Sequence, residues 1–137
     1  MDVNLTAVLV ATLAMFAVGG VWYGVLFGKT WGKIHGFDKL SAKKQKEMQS
    51  QMTMPYLGQL VVTFATAWVL AYFMNQFTDL SIWTFAFLVW VGFMMPTQYG
   101  VLAFGGAPEG KATVKFVIAA TGSLACVLVG VWTLSLF

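Results

Sequence analysis

The chain has 137 residues, of which 59% are apolar and 9% charged, with a mean hydropathy of +0.78. Soluble domains run at about 45–50% apolar and about 25% charged, so too little polar surface is present for a water-soluble fold, and a soluble enzyme, a disordered chain and a free nucleic-acid-binding domain are excluded. The net charge of +3 comes from eight lysines and no arginine, and Cys126 is the sole cysteine, which excludes an intrachain disulfide or thiolate cluster.

Four apolar stretches are long enough to cross a bilayer: Val3–Phe27, Pro55–Phe77, Ser81–Phe104 and Ala112–Phe137. None contains an interior charge apart from Lys115 near the start of the last, and backbone satisfaction in lipid makes each a helix. The chain is therefore expected to be an all-α four-transmembrane-helix bundle forming a single membrane domain. Asp2 stands where a signal peptide carries lysines, so the first stretch is expected to be retained.

The first connection, Gly28–Met54, is polar and holds six lysines; Thr78-Asp79-Leu80 forms a tight second turn; Gly105–Lys111 forms a glycine-rich third. With four spans, the first and third connections share one side. That side carries +5 (eight lysines against Asp38, Glu47 and Glu109), and the other −2 (Asp2 and Asp79). The positive-inside rule puts the lysines in the cytoplasm and both termini outside. Tyr23, Trp31, Tyr56 and Tyr99 fall near the inner interface and Tyr72, Trp83 and Trp132 near the outer one, while Trp68 and Trp90 lie deeper and need an indole partner.

Within the first connection, Ser41 is a plausible N-cap for a short helix over Ala42–Thr53, with Met48 and Met52 facing the membrane and Lys39, Lys43, Lys44 and Lys46 against anionic headgroups. A solvated basic connector is the alternative, and Pro55 suits the first turn of the second span. Tyr23-Gly24-Val25-Leu26-Phe27-Gly28 and Tyr99-Gly100-Val101-Leu102-Ala103-Phe104-Gly105 align with one inserted alanine, a pattern that either records two duplicated helical hairpins or arises by chance.

The run Trp22-Tyr23-Gly24-Val25-Leu26-Phe27-Gly28-Lys29-Thr30-Trp31 resembles the signature of domain-of-unknown-function family 1761, small bacterial multispanning proteins. Trp90-Val91-Gly92-Phe93 and Leu102-Ala103-Phe104-Gly105-Gly106 are similarly spaced. The chain departs from the family pattern at Gly24-Val25, where Ser-Pro is common, and at Ala107-Pro108-Glu109-Gly110-Lys111, where a basic residue precedes a tryptophan. The resemblance implies architecture only, with no activity attached; a bacterial inner membrane is the expected location.

Glycine spacing is the clearest pattern. Gly20, Gly24, Gly28, Gly32 and Gly36 recur every four residues, Gly122, Cys126 and Gly130 form a second small row, and Gly92 and Gly100 flank Pro96. Such rows let helices approach closely or leave a groove for a lipid tail. Pro96 removes the N–H that would bond the Gly92 carbonyl, so a kink is expected there. Gln59, Thr63, Pro96, Thr97 and Gln98 could line a small polar pocket, or serve interhelical hydrogen bonding. No Asp, Glu, His or Lys sits at mid-membrane, as a proton relay needs. His35 has no neighbouring acid or thiol, and neither it nor Ser41, Ser50, Ser81, Ser123 or Ser135 belongs to a catalytic or metal-binding motif. The third connection lacks the spacing of a phosphate loop.

These features point to a non-enzymatic membrane protein with no cofactor, metal or nucleic-acid partner. It is expected to be a homo-oligomer or a subunit of a membrane complex. The alternative is a channel, transporter or binding site for a small neutral or hydrophobic solute or lipid near Pro96.

Overall fold

In a computed structural model, described over residues 3–105 and 110–137, the first helix, α1 (Leu5–Gly20), begins at Asn4. The Asn4 side chain accepts the Ala7 N–H at 3.2 Å, satisfying one of the donors that a helix start leaves open. The span then widens into a π-helical turn, Val21–Leu26, where the Phe27 N–H donates to the Trp22 carbonyl five residues back at 2.9 Å. Phe27 breaks the rod, and α2 (Gly28–Ile34) follows until Gly36, whose φ of 72° suits glycine at a helix end. A 3₁₀ turn at Phe37–Lys39 leads to α3 (Ala42–Ser50), capped by Ser41, which accepts the Lys44 N–H at 3.4 Å.

The second span is α4 (Thr53–Gln76), with Pro55 in its first turn, where no intrahelical N–H bond is lost. Ser81 caps α5 (Ile82–Val89) by accepting the Thr84 N–H at 3.1 Å. A second π turn, Trp90–Met94, joins α5 to α6 (Met95–Phe104), and α7 (Ala112–Leu134) closes the chain. Four helical stretches, Leu5–Leu26, Thr53–Gln76, Ile82–Phe104 and Ala112–Leu134, are long and apolar enough to span a membrane. The fold is an all-α four-span bundle.

Packing is uneven along its length. α1 lies against α7, α4 packs on α1, and α5 and α6 pack on α7. Val8 and Ala11 of α1, Ala67 and Leu70 of α4, Ala86 of α5, and Val127 and Val131 of α7 form a core in the halves nearest the termini. At the lysine-bearing end, Thr53–Gln59 is exposed at every residue and α6 buries none. Threonine hydroxyls inside the spans bond their own helices, as Thr12 does to the Val8 carbonyl at 2.7 Å, so these groups stay satisfied without water.

Several sequence expectations change. The first connection holds α2 and a 3₁₀ turn besides its capped helix, and that helix ends at Ser50, so Met52 lies outside it. The proline's disturbance extends upstream as a π turn, in which the Met95 N–H reaches the Trp90 carbonyl. The two aligned tyrosine-glycine runs differ in conformation: Tyr23–Leu26 is π-helical, whereas Tyr99–Phe104 is a regular helix. Nor does α4 pack on the third span as α1 packs on α7, so the two hairpins are not equivalent. Asp2 and Glu109, counted in the charge asymmetry, and Gly106–Glu109 of the third connection lie outside the described residues.

Candidate functional site

Three features concentrate the chain's specific chemistry: the small-residue row on α7, the polar groups around the π turns, and the lysine-bearing end.

On α7 the row is a seat for α1. A Cβ added at Gly122 would fall 2.7 Å from the Trp22 indole, and one at Gly130 would fall 2.6 Å from the Met15 Sδ. Between them the Cys126 thiol points at the Met15 carbonyl, 3.6 Å away. The first-span ridge behaves differently. Added Cβ atoms at Gly20, Gly24, Gly92 and Gly100 meet nothing within 4 Å, and that at Gly28 meets only the Tyr23 carbonyl of its own segment at 3.3 Å. The π turn and the break at Phe27 interrupt the four-residue spacing, so Gly20, Gly24, Gly28, Gly32 and Gly36 do not form one ridge. Within the chain, then, Gly122 and Gly130 admit another helix and the first-span glycines do not.

Both π turns carry a tryptophan that keys onto α7. The Trp22 Nε1–H donates to the Ile118 carbonyl at 2.9 Å; the Trp90 Nε1–H lies 2.8 Å from the Ala120 carbonyl and 3.1 Å from the Ser123 Oγ. The partner sought for Trp90 is thus found, whereas Trp68 stacks on Tyr72 with ring centroids 6.1 Å apart. The role of Trp22 was not drawn from the sequence, although the shared Trp-x-Gly of Trp22–Gly24 and Trp90–Gly92 is a visible signal for both.

The expected polar pocket is not assembled. Gln59 is exposed and its amide donates to the Thr63 Oγ1 at 3.3 Å on the same helix. Thr63 in turn donates to the Gln59 carbonyl at 2.7 Å. Thr97 is exposed and bonds the Phe93 carbonyl at 2.7 Å, next to an exposed Pro96. Thr63 is buried but bonds only within its own helix; Gln98 alone of the set bonds another helix, its Oε1 lying 3.3 Å from the Ser123 hydroxyl, which also has the Ala120 carbonyl at 2.9 Å. Position along the helix sets depth but not azimuth, which is why equal depth did not bring these groups together. A cavity of about 180 Å³ lies at the opposite, terminus-bearing end, between Asn4, Asn75, Leu134 and Phe137.

At the lysine-bearing end, the first and third connections meet. The Lys111 Nζ donates to the Lys33 carbonyl at 3.1 Å, and the Lys115 ammonium sits 6.0 Å from the Trp31 ring centroid. Trp31 also packs edge-on to Tyr23 at 4.7 Å and against His35, whose Nδ1 lies 2.9 Å from the Trp31 carbonyl. Lys39, Lys43, Lys44 and Lys46 are exposed along the 3₁₀ turn and α3. The Gln45 amide ties these two elements together, with the Phe37 and Leu40 carbonyls at 3.1 and 3.2 Å. Among the described residues no three His, Cys, Asp or Glu side chains are grouped to hold a metal. Ser41 and Ser81 serve as caps, while Ser50 and Ser135 bond the Glu47 and Trp132 carbonyls, each at 2.7 Å.

A family model described as protein of unknown function (DUF1761) matches residues 6–135. Comparisons with curated proteins and with solved structures find no match.

Proposed function

The chain belongs to the DUF1761 family, an integral membrane protein by its four spans, and from that premise we propose that it acts without catalysis, as a self-associating or accessory subunit of a membrane complex. One observation carries this reading: at Gly20, Gly24, Gly92 and Gly100 the backbone is bare and an added Cβ would meet nothing within 4 Å. Close approach of a further helix is what such bare backbone permits in a bilayer, where packing and hydrogen bonding drive association. The non-catalytic part is supported by the serines, whose hydroxyls are engaged as caps or with helix carbonyls. The solute-site reading loses support because the residues meant to form it are satisfied separately.

In this proposal the lysine-bearing end faces the cytoplasm of a bacterial inner membrane, both termini lie outside, and Lys39, Lys43, Lys44 and Lys46 rest on anionic headgroups. Gly24→Leu tests the subunit role. With open space at that position, the substitution should leave the thermal stability of the detergent-solubilised chain unchanged while abolishing the oligomer or co-purifying complex seen by native mass spectrometry. Leu9→Ala, at a lipid-facing position 50% exposed, should change neither. A wild type that is only ever monomeric and alone refutes the proposal.

A further inference from the structure

The Lys111 and Lys115 ammonium groups and the α2 segment holding Trp31 and the Lys33 carbonyl are far apart in sequence, yet the fold gathers them at one corner of the lysine-bearing end. Lys111 and Lys115 stand one turn apart at the start of α7, where the Lys115 N–H bonds the Lys111 carbonyl. Both are partly buried, and both reach across to α2, one to a backbone carbonyl and one to an indole face. Among the described residues no carboxylate lies within ion-pair distance of either ammonium. Like charges four residues apart on a helix repel, so this pair is held together by neutral groups without an opposing charge among them. Each ammonium has three donors, and the Lys33 carbonyl occupies one donor of Lys111. The corner also sits at the bilayer boundary: Tyr99 packs edge-on against Phe116, one residue beyond Lys115, at 5.8 Å, and Tyr23 packs on Trp31.

We propose that Lys111 and Lys115, with Trp31 as the floor, form a discrete site for the phosphate of an anionic phospholipid headgroup. The phosphate oxygens accept from the free ammonium donors, and the acyl chains run down the exposed faces of α6 and the start of α7. A diester phosphate anchored by its own tails fits a corner that opens onto lipid. The site is separate from the diffuse basic stretch Lys39–Lys46, and it requires only that the protein be membrane-embedded, not that it associate.

Native mass spectrometry in a neutral detergent, titrating phosphatidylglycerol or phosphatidylcholine, tests it. The wild type should retain phosphatidylglycerol in preference to phosphatidylcholine. Lys111→Gln with Lys115→Gln should weaken that retention about thirty-fold, on the usual contribution of a lysine near an anionic surface. Lys115→Gln alone, which leaves the Lys111–Lys33 bond in place, should weaken it about five-fold and keeps the test open if the double variant fails to fold. Lys43→Gln with Lys44→Gln should leave retention unchanged. Equal binding of the two lipids, or loss with the Lys43/Lys44 pair but not with Lys115→Gln, overturns the proposal. So does displacement of the lipid by millimolar inorganic phosphate, which would assign the corner to a soluble anion. A preference that emerges only in Glu109→Gln also overturns it, since that acid would then be the cations' partner.

Discussion

Gly122 and Gln98 show how unequal two conspicuous residues can be. At Gly122 a methyl group would lie 2.7 Å from an indole that is itself fixed by a 2.9 Å bond to the Ile118 carbonyl. Trp22 cannot turn aside without losing that bond, so Gly122→Ala should destabilise the chain by about 1–3 kcal/mol, the usual cost of overpacking. Unfolding in mixed micelles, with Gly24→Ala as the neutral control, measures it. Gln98 contributes little by comparison. Its oxygen accepts from a Ser123 hydroxyl that already has the Ala120 carbonyl at 2.9 Å, so Gln98→Leu should cost no more than about 0.6 kcal/mol, near the mean for such bonds in membrane helices. A loss of several kcal/mol would mean that the glutamine holds something besides Ser123.

Among the elements, the π turns decide which side chains meet. Residues spaced by four share a face only while a helix keeps 3.6 residues per turn, and each turn here breaks that count. The α7 row was legible because Ala112–Leu134 is regular throughout. The first-span row misled because Val21–Leu26 and the break at Phe27 cut through it. Span existence and order were legible from hydropathy, since apolar runs of this length with no charge in their middle have few alternatives in lipid. Ser41 announced its helix start by local chemistry alone, whereas the cap at Ser81 emerges only with the structure. The meeting of Trp31 with Lys115 depends on how α2 leaves the first span, and no local signal encodes that angle. A single insertion probes the second π turn. Phe93 is 74% exposed, so Phe93→Ala should be close to neutral. The turn already takes up one residue more than an α turn, its Met95 N–H reaching the Trp90 carbonyl, so inserting an alanine after Phe93 should rotate Trp90 by about 100° relative to Gln98 and pull its indole from Ala120 and Ser123. Thermal unfolding should then show the insertion to be much the less stable; equal stability would mean that the turn's register does not matter.

For the whole molecule, the bond between Lys111 and the Lys33 carbonyl joins the first and third connections at one end, which four antiparallel spans require. If the lysine partition sets orientation, reporter fusions after Phe137 and within α3 should report opposite sides, with the α3 fusion cytoplasmic. A cytoplasmic C-terminal fusion would invert the assignment.

The offset core carries a consequence for motion. Buried contacts hold the terminus-bearing halves of the spans, while Thr53–Gln59 is exposed at every residue and α6 buries none. Regions with few buried contacts open locally at lower free energy than the core. Amide hydrogen exchange in nanodiscs should therefore be graded along each rod: slow around Val8, Ala67 and Val127, faster towards Gln59 and Val101, with the direction of the gradient reversing from one span to the next. Binding at the lysine-bearing end, whether by a neighbouring helix or by lipid, should slow exchange in that half first.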